Sequence, residues 1–176
     1  MRILVTGGVR SGKSAHAESL MAGRPVTYIA PGPTVDDDDW AARVLAHQAR
    51  RPTSWTTVET GDLVAALEVD GPVLIDCLGT WLTRLIDINQ AWDLPSLMDV
   101  NQPSADALVS SELDRICTAL AARDDVVVVT NEVGLGVVPE HRSGRLFRDL
   151  LGLANQRVAA VCDEVHLVVA GRVLRL

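Results

Sequence analysis

A run of four consecutive valines, Val126–Val129, places the strongest constraint on how this chain can fold. A strand that is apolar on both faces must be covered on both faces, as is typical of strands in a parallel sheet. Other short apolar runs recur along the chain, and segments with helical character separate them. This alternation predicts right-handed strand–helix–strand crossovers and a mainly parallel sheet with helices on both sides.

Glycine, proline and capping residues set the expected boundaries of these elements. We predict strands over residues 2–6, 26–30, 55–59, 73–78, 126–129, 164–170 and 173–176. We predict helices over residues 13–22, 37–50, 61–69, 80–88, 104–123 and 143–161, and a surface loop or insertion over 89–103. The tight turn expected at Gly171-Arg172 is too short for a crossover, so the last strand should run antiparallel to the one before it.

The composition indicates a single folded domain over residues 1–176. Apolar residues make up 48% of the chain and charged residues 22%, which excludes a disordered, collagen-like or coiled-coil chain. A formal net charge of −7 disfavours a nucleic-acid partner but leaves room for a phosphorylated small molecule. No apolar stretch approaches the roughly 20 residues of a membrane span. The N-terminus has no signal-peptide layout, and the three separated cysteines show no disulfide or zinc pattern, so we expect a cytoplasmic protein.

Residues 7–14, Gly-Gly-Val-Arg-Ser-Gly-Lys-Ser, satisfy the pattern G-x-x-x-x-G-K-[ST] between a predicted strand and a predicted helix. Glycines let successive backbone N–H groups turn toward a phosphate, and the following helix adds the positive end of its dipole. Lys13, the only lysine in the chain, would contact the β and γ phosphates, and Ser14 would offer an oxygen to Mg²⁺. The alternative is a chance match in a glycine-rich turn.

The motif predicts nucleoside triphosphate binding, with Lys13 also in a catalytic role. Its members are Gly7, Gly8, Val9, Arg10, Ser11, Gly12, Lys13 and Ser14. Together with the alternating elements, it predicts an α/β, P-loop NTPase-like three-layer sandwich whose mainly parallel sheet ends in a C-terminal antiparallel hairpin strand.

Two carboxylates are expected at the same edge of the sheet as the motif. Asp76 ends an apolar strand and would hold Mg²⁺ directly or through water, although an ordinary strand-end aspartate is the alternative. Glu132 follows the four valines, where open sheets bind ligands, or it is a solvated loop acid.

His47 is the second unusual residue, because it shares the apolar face of a predicted helix with Trp40 and Val44. Such a histidine is commonly a satisfied core residue. Imidazole can also attack phosphorus and form a phosphoramidate that later passes on its phosphoryl or nucleotidyl group. The nearby Arg51 could balance phosphate charge or could belong to a solvated helix end. Residue chemistry alone leaves both interpretations open, while His16 and His166 are interpreted as structural.

Several stretches in sequence order resemble the bifunctional adenosylcobinamide kinase / adenosylcobinamide-phosphate guanylyltransferase family of cobalamin biosynthesis. The two most specific are the Thr-Asn-Glu-Val-Gly-x-Gly-x-Val-Pro-Glu segment at 130–140 and the His-x-x-x-Arg-Pro segment at 47–52. The others are residues 3–14, Ala42-Arg43, Trp55, Asp76-Cys77-Leu78 and Asn155-Gln156-Arg157. Gln48 departs from the Arg or Lys that often follows the family's histidine.

The resemblance implies two activities. One phosphorylates the aminopropanol hydroxyl of adenosylcobinamide with ATP or GTP, and the other transfers GMP from GTP onto that phosphate, giving adenosylcobinamide-GDP and pyrophosphate. The family's histidine that carries GMP maps onto His47, and Arg51, Glu59 and Asp76 join the candidate nucleotide-binding residues. Mg²⁺, a corrinoid substrate and a homotrimer with active sites near the subunit interface are also implied.

The sequence also offers two alternatives to a bifunctional enzyme. One is a monofunctional small-molecule kinase of the same fold in which His47 is structural. The other is a nucleotide-binding switch without chemistry, which the sequence disfavours because it contains no Asn-Lys-x-Asp guanine-reading segment.

Overall fold

The computed structural model describes residues 1–32, 51–94 and 104–176. The strands in these ranges are β1 (Arg2–Gly7), β2 (Thr27–Ala30), β3 (Thr56–Glu59), β4 (Val73–Asp76), β5 (Val126–Val129), β6 (Glu164–Val169) and β7 (Arg172–Arg175). The α-helices are α1 (Lys13–Leu20), α2 (Leu63–Ala66), α3 (Leu78–Ile88), α4 (Ala105–Ala121) and α5 (Arg142–Ala159), and a 3-10 helix spans Ala91–Asp93. The predicted helix over 37–50 and residues 95–103 of the predicted loop lie outside the described residues.

The seven strands form one sheet in the order β3-β2-β4-β5-β1-β6-β7. Every neighbouring pair is parallel except β6 and β7, which run antiparallel. The four-valine strand β5 lies between β4 and β1, and all four of its side chains are buried. These findings confirm the predicted mainly parallel sheet and its C-terminal antiparallel hairpin.

Helices cover both faces of the sheet and complete three layers. On one face, Ile3 and Val5 of β1 pack with Ala17 of α1. On the other face, alternate residues such as Ile75 pack with Leu82 of α3, and the same core includes residues of α4 and α5. None of the helices in the described ranges combines the length and apolar character needed to cross a membrane.

The C-terminal hairpin turns one residue earlier than predicted. Val169 pairs with Arg172, so the turn consists of Ala170 and Gly171 rather than Gly171 and Arg172. Both turn residues have positive φ, 50° and 75°, as in a type I′ turn, whose twist matches that of the flanking strands. The prediction was wrong because glycine signals positive φ in a sequence and alanine does not.

Strand β4 and the helix before it are both shorter than predicted. The strand predicted over 73–78 ends at Asp76, because the Thr80 hydroxyl lies 3.4 Å from the Cys77 N–H and caps a helix that begins at Leu78. The helix predicted over 61–69 is a single turn, Leu63–Ala66, capped by the Asp62 carboxylate. Because Cys77 and Leu78 are also apolar, the sequence pattern continues past Asp76 and does not show where the strand ends.

Candidate active site

The carboxyl ends of β1, β5 and β4 lie side by side at one edge of the sheet. Val5 is level with Val129, and Val129 is level with Asp76, so β1 and β4 are two strand spacings apart, about 10 Å. Helix α1 packs against all three strands. Parallel α/β sheets bind ligands outside the carboxyl ends of their strands, and this edge is therefore the candidate active site.

The loop from Gly8 to Gly12 curls between β1 and α1. The backbone N–H of Ser11 donates to the Gly8 carbonyl at 3.3 Å, and the Lys13 ammonium donates to the same oxygen at 3.2 Å. Arg10 and Gly12 have positive φ, 55° and 95°. Gly8, Val9, Arg10 and Gly12 are exposed, whereas Lys13 and Ser14 begin α1 and are partly buried. The structure thus gathers the eight predicted phosphate-binding residues into one compact turn at a helix N-terminus.

Gly7, the last residue of β1, and Gly12, in the loop, are both required by their surroundings. A Cβ on Gly7 would lie 2.5 Å from the Val168 carbonyl oxygen and 2.7 Å from the Ser11 hydroxyl. At Gly12 the left-handed backbone itself disfavours any side chain. The glycines at 7 and 12 therefore bring the loop close to β6, as well as leaving space for a ligand.

The C-terminal hairpin supports the loop from behind. The Gly171 N–H donates to the Ser11 carbonyl at 2.8 Å. A Cβ built on Gly12 would lie 3.5 Å from the Gly171 Cα, which shows how closely the two backbones approach. Sequence reasoning missed this contact because nothing local to residues 170–172 points to residues 11–12.

Asp76 reaches the candidate site from β4, and the hydroxyl of Tyr28 donates to its Oδ2 at 3.0 Å. Tyr28 pairs with Leu74 in the sheet, and Asp76 lies two residues further along the same face, so the two are diagonal neighbours. Burial and the adjacent Asp76 raise the pKa of Tyr28, so its hydroxyl stays protonated and acts as a donor. Tyr28 was not predicted, although it is the only tyrosine in the chain.

Arg51 stacks on the aromatic ring of Tyr28. Its guanidinium carbon lies 3.5 Å from the centre of the Tyr28 ring, and its Nη1 donates to the Thr57 hydroxyl at 2.9 Å. Thr57 is the residue directly opposite Tyr28 on β3. Glu59 follows two residues later on the same face of β3 and is exposed. The sheet therefore places Arg51, Glu59 and Asp76 on the face that α1 covers.

The segment after β5 is pinned beside the loop. The Glu132 N–H donates to the Gly7 carbonyl at 3.0 Å, while the Glu132 carboxylate accepts from the Gly134 N–H at 3.0 Å. The Thr130 hydroxyl donates to Asn155 Oδ1 at 2.6 Å, and Asn155 Nδ2 donates to the Asn131 carbonyl at 3.0 Å. Two separate segments that carry the family resemblance, 130–140 and 155–157, thus meet through hydrogen bonds.

His16 and His166 form a pair behind the loop. His16 Nε2 lies 2.9 Å from His166 Nδ1, and His166 Nε2 lies 2.8 Å from a Glu164 oxygen. His166 is 1% exposed. Burial, then the neighbouring His166 and Arg175, lower the pKa of His16. These contacts tie α1 to β6, in keeping with the structural role expected for both histidines.

His47, the expected nucleophile, lies outside the described residues. Within them, no cluster of three or more His, Cys, Asp or Glu side chains is arranged to hold a metal ion. A nucleotide-bound Mg²⁺ needs only one or two protein oxygens, because phosphates and waters supply the other ligands. The Ser14 hydroxyl and the Asp76 carboxylate are hard oxygen donors of the kind that Mg²⁺ prefers, so the donor set fits this ion.

Comparison with known proteins adds sequence-level evidence. A family model described as "CobU: Cobinamide kinase / cobinamide phosphate guanyltransferase" matches residues 3–176. The chain is 41% identical to a protein of Salmonella typhimurium named "Bifunctional adenosylcobalamin biosynthesis protein CobU", covering 97% of each. It is 40% identical to the protein of the same name in Escherichia coli, again over 97% of each. A Pseudomonas aeruginosa protein named "Bifunctional adenosylcobalamin biosynthesis protein CobP" is 36% identical, over 97% of this chain and 94% of that protein.

Solved structures resemble the fold at much lower identity. A prototypical ATPase from a type III secretion system matches with a TM-score of 0.57 and 13% identity, over 94% of this chain and 50% of that one. The assembled type III secretion ATPase EscN of enteropathogenic E. coli matches with a TM-score of 0.56 and 12% identity, over 96% of this chain and 43% of that one. At these identities the likeness shows a P-loop NTPase-like fold, confirming the predicted fold class.

Proposed function

The chain belongs to the cobinamide kinase / cobinamide phosphate guanyltransferase family, and we propose that it carries out both reactions of this family. The family's members are bifunctional enzymes of adenosylcobalamin biosynthesis. We place both reactions at the sheet edge formed by the carboxyl ends of β1, β5 and β4. In the first, the aminopropanol hydroxyl of adenosylcobinamide attacks the γ phosphorus of ATP or GTP, and the nucleoside diphosphate leaves. In the second, GMP passes from GTP to the new phosphate. The observation that carries the proposal is the compact turn formed by residues 7–14, in a chain that matches the family over residues 3–176.

The loop binds and orients the triphosphate. Backbone N–H groups of residues 8–14 and the N-terminus of α1 are attracted to phosphate oxygens, and Lys13 neutralises charge that develops on the leaving phosphates. Arg51, with Glu59 on the same sheet face, belongs to the nucleotide-binding set. Gly7 and Gly12 keep the loop close to β6, and Gly171 holds the Ser11 carbonyl in place.

Ser14 and Asp76 are the residues that would hold Mg²⁺. Their oxygens would hold the ion beside the triphosphate, where it would supply positive charge against the charge on the phosphates. Tyr28 keeps the Asp76 carboxylate oriented through its hydrogen bond to Oδ2.

The guanylyl step is proposed to run through His47. Its neutral imidazole nitrogen attacks the α phosphorus of GTP, the bond to the β,γ-pyrophosphate breaks, and pyrophosphate leaves. A phosphate oxygen of adenosylcobinamide phosphate then attacks the same phosphorus, releasing His47 and forming adenosylcobinamide-GDP. Support for His47 comes from its place in the His-x-x-x-Arg-Pro segment.

This intermediate is tested with GTP labelled at the α phosphate, followed by denaturation of the protein. We expect label on the wild-type chain that is acid-labile and base-stable, as a phosphoramidate is, and none on His47→Ala. His141→Ala is the matched control and should keep the label, because His141 is an exposed residue ahead of α5. An unlabelled wild type with intact kinase activity would instead favour the monofunctional kinase.

We also propose that the chain forms a single domain and assembles as a homotrimer. One sheet includes both β1 and β7, near the two ends of the chain, which supports a single domain over residues 1–176. The family resemblance supports a homotrimer. Leu135, Val137 and Val138, in the loop after β5, are 86%, 95% and 59% exposed, and apolar side chains so exposed next to the active-site edge suit a subunit interface.

A further inference from the structure

Tyr28 occupies a junction between two candidate ligand-binding groups. Its side chain is 2% exposed, yet its hydroxyl reaches Asp76 Oδ2 at 3.0 Å. Its ring lies under the Arg51 guanidinium at 3.5 Å. One buried side chain therefore contacts both the proposed metal ligand and a proposed phosphate-binding cation.

The register of the sheet connects this junction to three neighbouring strands. Tyr28 on β2 pairs with Thr57 of β3 on one side and with Leu74 of β4 on the other. Arg51 donates to Thr57 at 2.9 Å, so the guanidinium is held from β3 while it lies over the ring on β2. Asp76, two residues beyond Leu74, is held from β2 through the hydroxyl.

The two contacts of Tyr28 are chemically separable. Its hydroxyl uses one lone pair of Asp76 Oδ2, which fixes the rotation of the carboxylate and leaves Oδ1 unused by Tyr28. Its ring offers a negative face to the guanidinium and needs no hydroxyl for that purpose. Removing the hydroxyl alone should disturb the carboxylate and spare the cation.

We propose that Tyr28 is a positioning residue that sets the affinity of the nucleotide site for Mg²⁺ through its hydroxyl and holds Arg51 through its ring. This inference rests on the proposed function, in which Asp76 helps to hold Mg²⁺ beside the triphosphate. A carboxylate held in one orientation loses less freedom when the ion binds than a freely rotating one. The charged acceptor makes the hydrogen bond stronger than a neutral one, and its loss should weaken metal binding.

The test measures the dissociation constant of the α,β-methylene analogue of GTP by calorimetry, once in EDTA and once at saturating Mg²⁺. The dissociation constant in EDTA divided by the constant at saturating Mg²⁺ is the coupling ratio between metal and nucleotide. A ratio above one means that Mg²⁺ strengthens nucleotide binding. For Tyr28→Phe we expect the ratio to fall by about three- to tenfold, with the constant in EDTA unchanged. Tyr28→Leu, which also removes the aromatic face, should weaken binding in EDTA as well.

Three further variants separate this inference from the proposed function. Asp76→Asn should lower the coupling ratio at least as much as Tyr28→Phe does, and adding Tyr28→Phe to it should cause no further loss. Thr118→Val, which removes a remote hydroxyl that donates to the Asp114 carbonyl at 2.8 Å, should leave the ratio unchanged. An unchanged ratio in Tyr28→Phe together with a reduced one in Asp76→Asn would overturn the role of Tyr28 alone. A ratio that Asp76→Asn leaves intact would overturn the metal role of Asp76 and the role of Tyr28 that depends on it. The two proposed transfer reactions would stand, because the label on His47 and the activities of Lys13→Ala test them separately.

Tyr28→Phe loses no carbon atom of a buried ring, so it is expected to fold, and its melting temperature verifies this. A melting temperature that falls while the coupling ratio stays at the wild-type value would mean that Tyr28 is merely structural.

Discussion

Lys13 can be predicted from the sequence as a residue of the candidate site, whereas Tyr28 cannot. Lys13 follows from a motif whose spacing is fixed by the loop itself, so the sequence predicts its position directly. Tyr28 matters because β2 lies between β3 and β4, and no pattern within residues 26–30 specifies those neighbours. A residue whose role depends on strand order becomes visible only once the order is known.

His16 makes the stability of the folded chain depend on pH. Its pKa is lowered by burial and by His166, so the folded chain binds fewer protons at this site than the unfolded chain. The stabilising contribution is complete above the unfolded pKa of about 6.5 and is lost as the pH falls below it. The wild-type melting temperature should therefore drop between pH 8 and pH 5.5 by more than that of His16→Gln, whose amide can still donate to His166.

The control is His141→Gln, which alters an exposed histidine and should keep the wild-type slope. Equal slopes for wild type and His16→Gln, measured by thermal unfolding across that range, would contradict a coupling between His16 and His166.

Among the elements, the β6–β7 hairpin supports the proposed phosphate-binding loop. Every residue of β7 is exposed, and the strand itself lies at the edge of the sheet. Its turn nevertheless contacts the loop through the Gly171 N–H and the Ser11 carbonyl. A terminal strand that adds little to the core, β7, thus continues a turn that can steady the proposed phosphate-binding loop.

Gly171→Ala and Gly71→Ala form a matched pair that tests this support. Both glycines have positive φ, 75° and 82°, and in both cases a new Cβ would meet no atom within 4 Å. Each substitution should therefore lower the free energy of unfolding by a similar amount, about 1 kcal/mol. Gly171→Ala should in addition weaken GTP binding several-fold, because relaxation of the turn displaces the donor to Ser11.

Calorimetric binding and thermal unfolding of the two variants provide the comparison. GTP affinity that is equally affected, or equally spared, in both variants would show that the hairpin has no part in holding the loop.

For the whole molecule, the sequence predicts the parts that depend on local periodicity. The four-valine strand, the loop from Gly7 to Ser14 and the alternation of strands and helices all lie where their patterns indicate. Strand order and the contacts between distant segments could not be predicted, because crossovers constrain handedness but not which strands become neighbours. The turn at Ala170-Gly171 and the contact from Gly171 to Ser11 belong to this second group.

In the proposed function, one phosphate-binding loop serves both phosphoryl transfer to adenosylcobinamide and guanylyl transfer to its phosphate. Measuring both activities in Lys13→Ala tests this shared use of the loop. The charge-matched control is Arg115→Ala, which removes an exposed cation paired with Glu112 on α4. Removing a preorganised cation of this kind should lower both rates by about 100-fold or more, while the melting temperature stays near that of the wild type. Full kinase turnover in Lys13→Ala, with only the guanylyl transfer lost, would contradict a shared site.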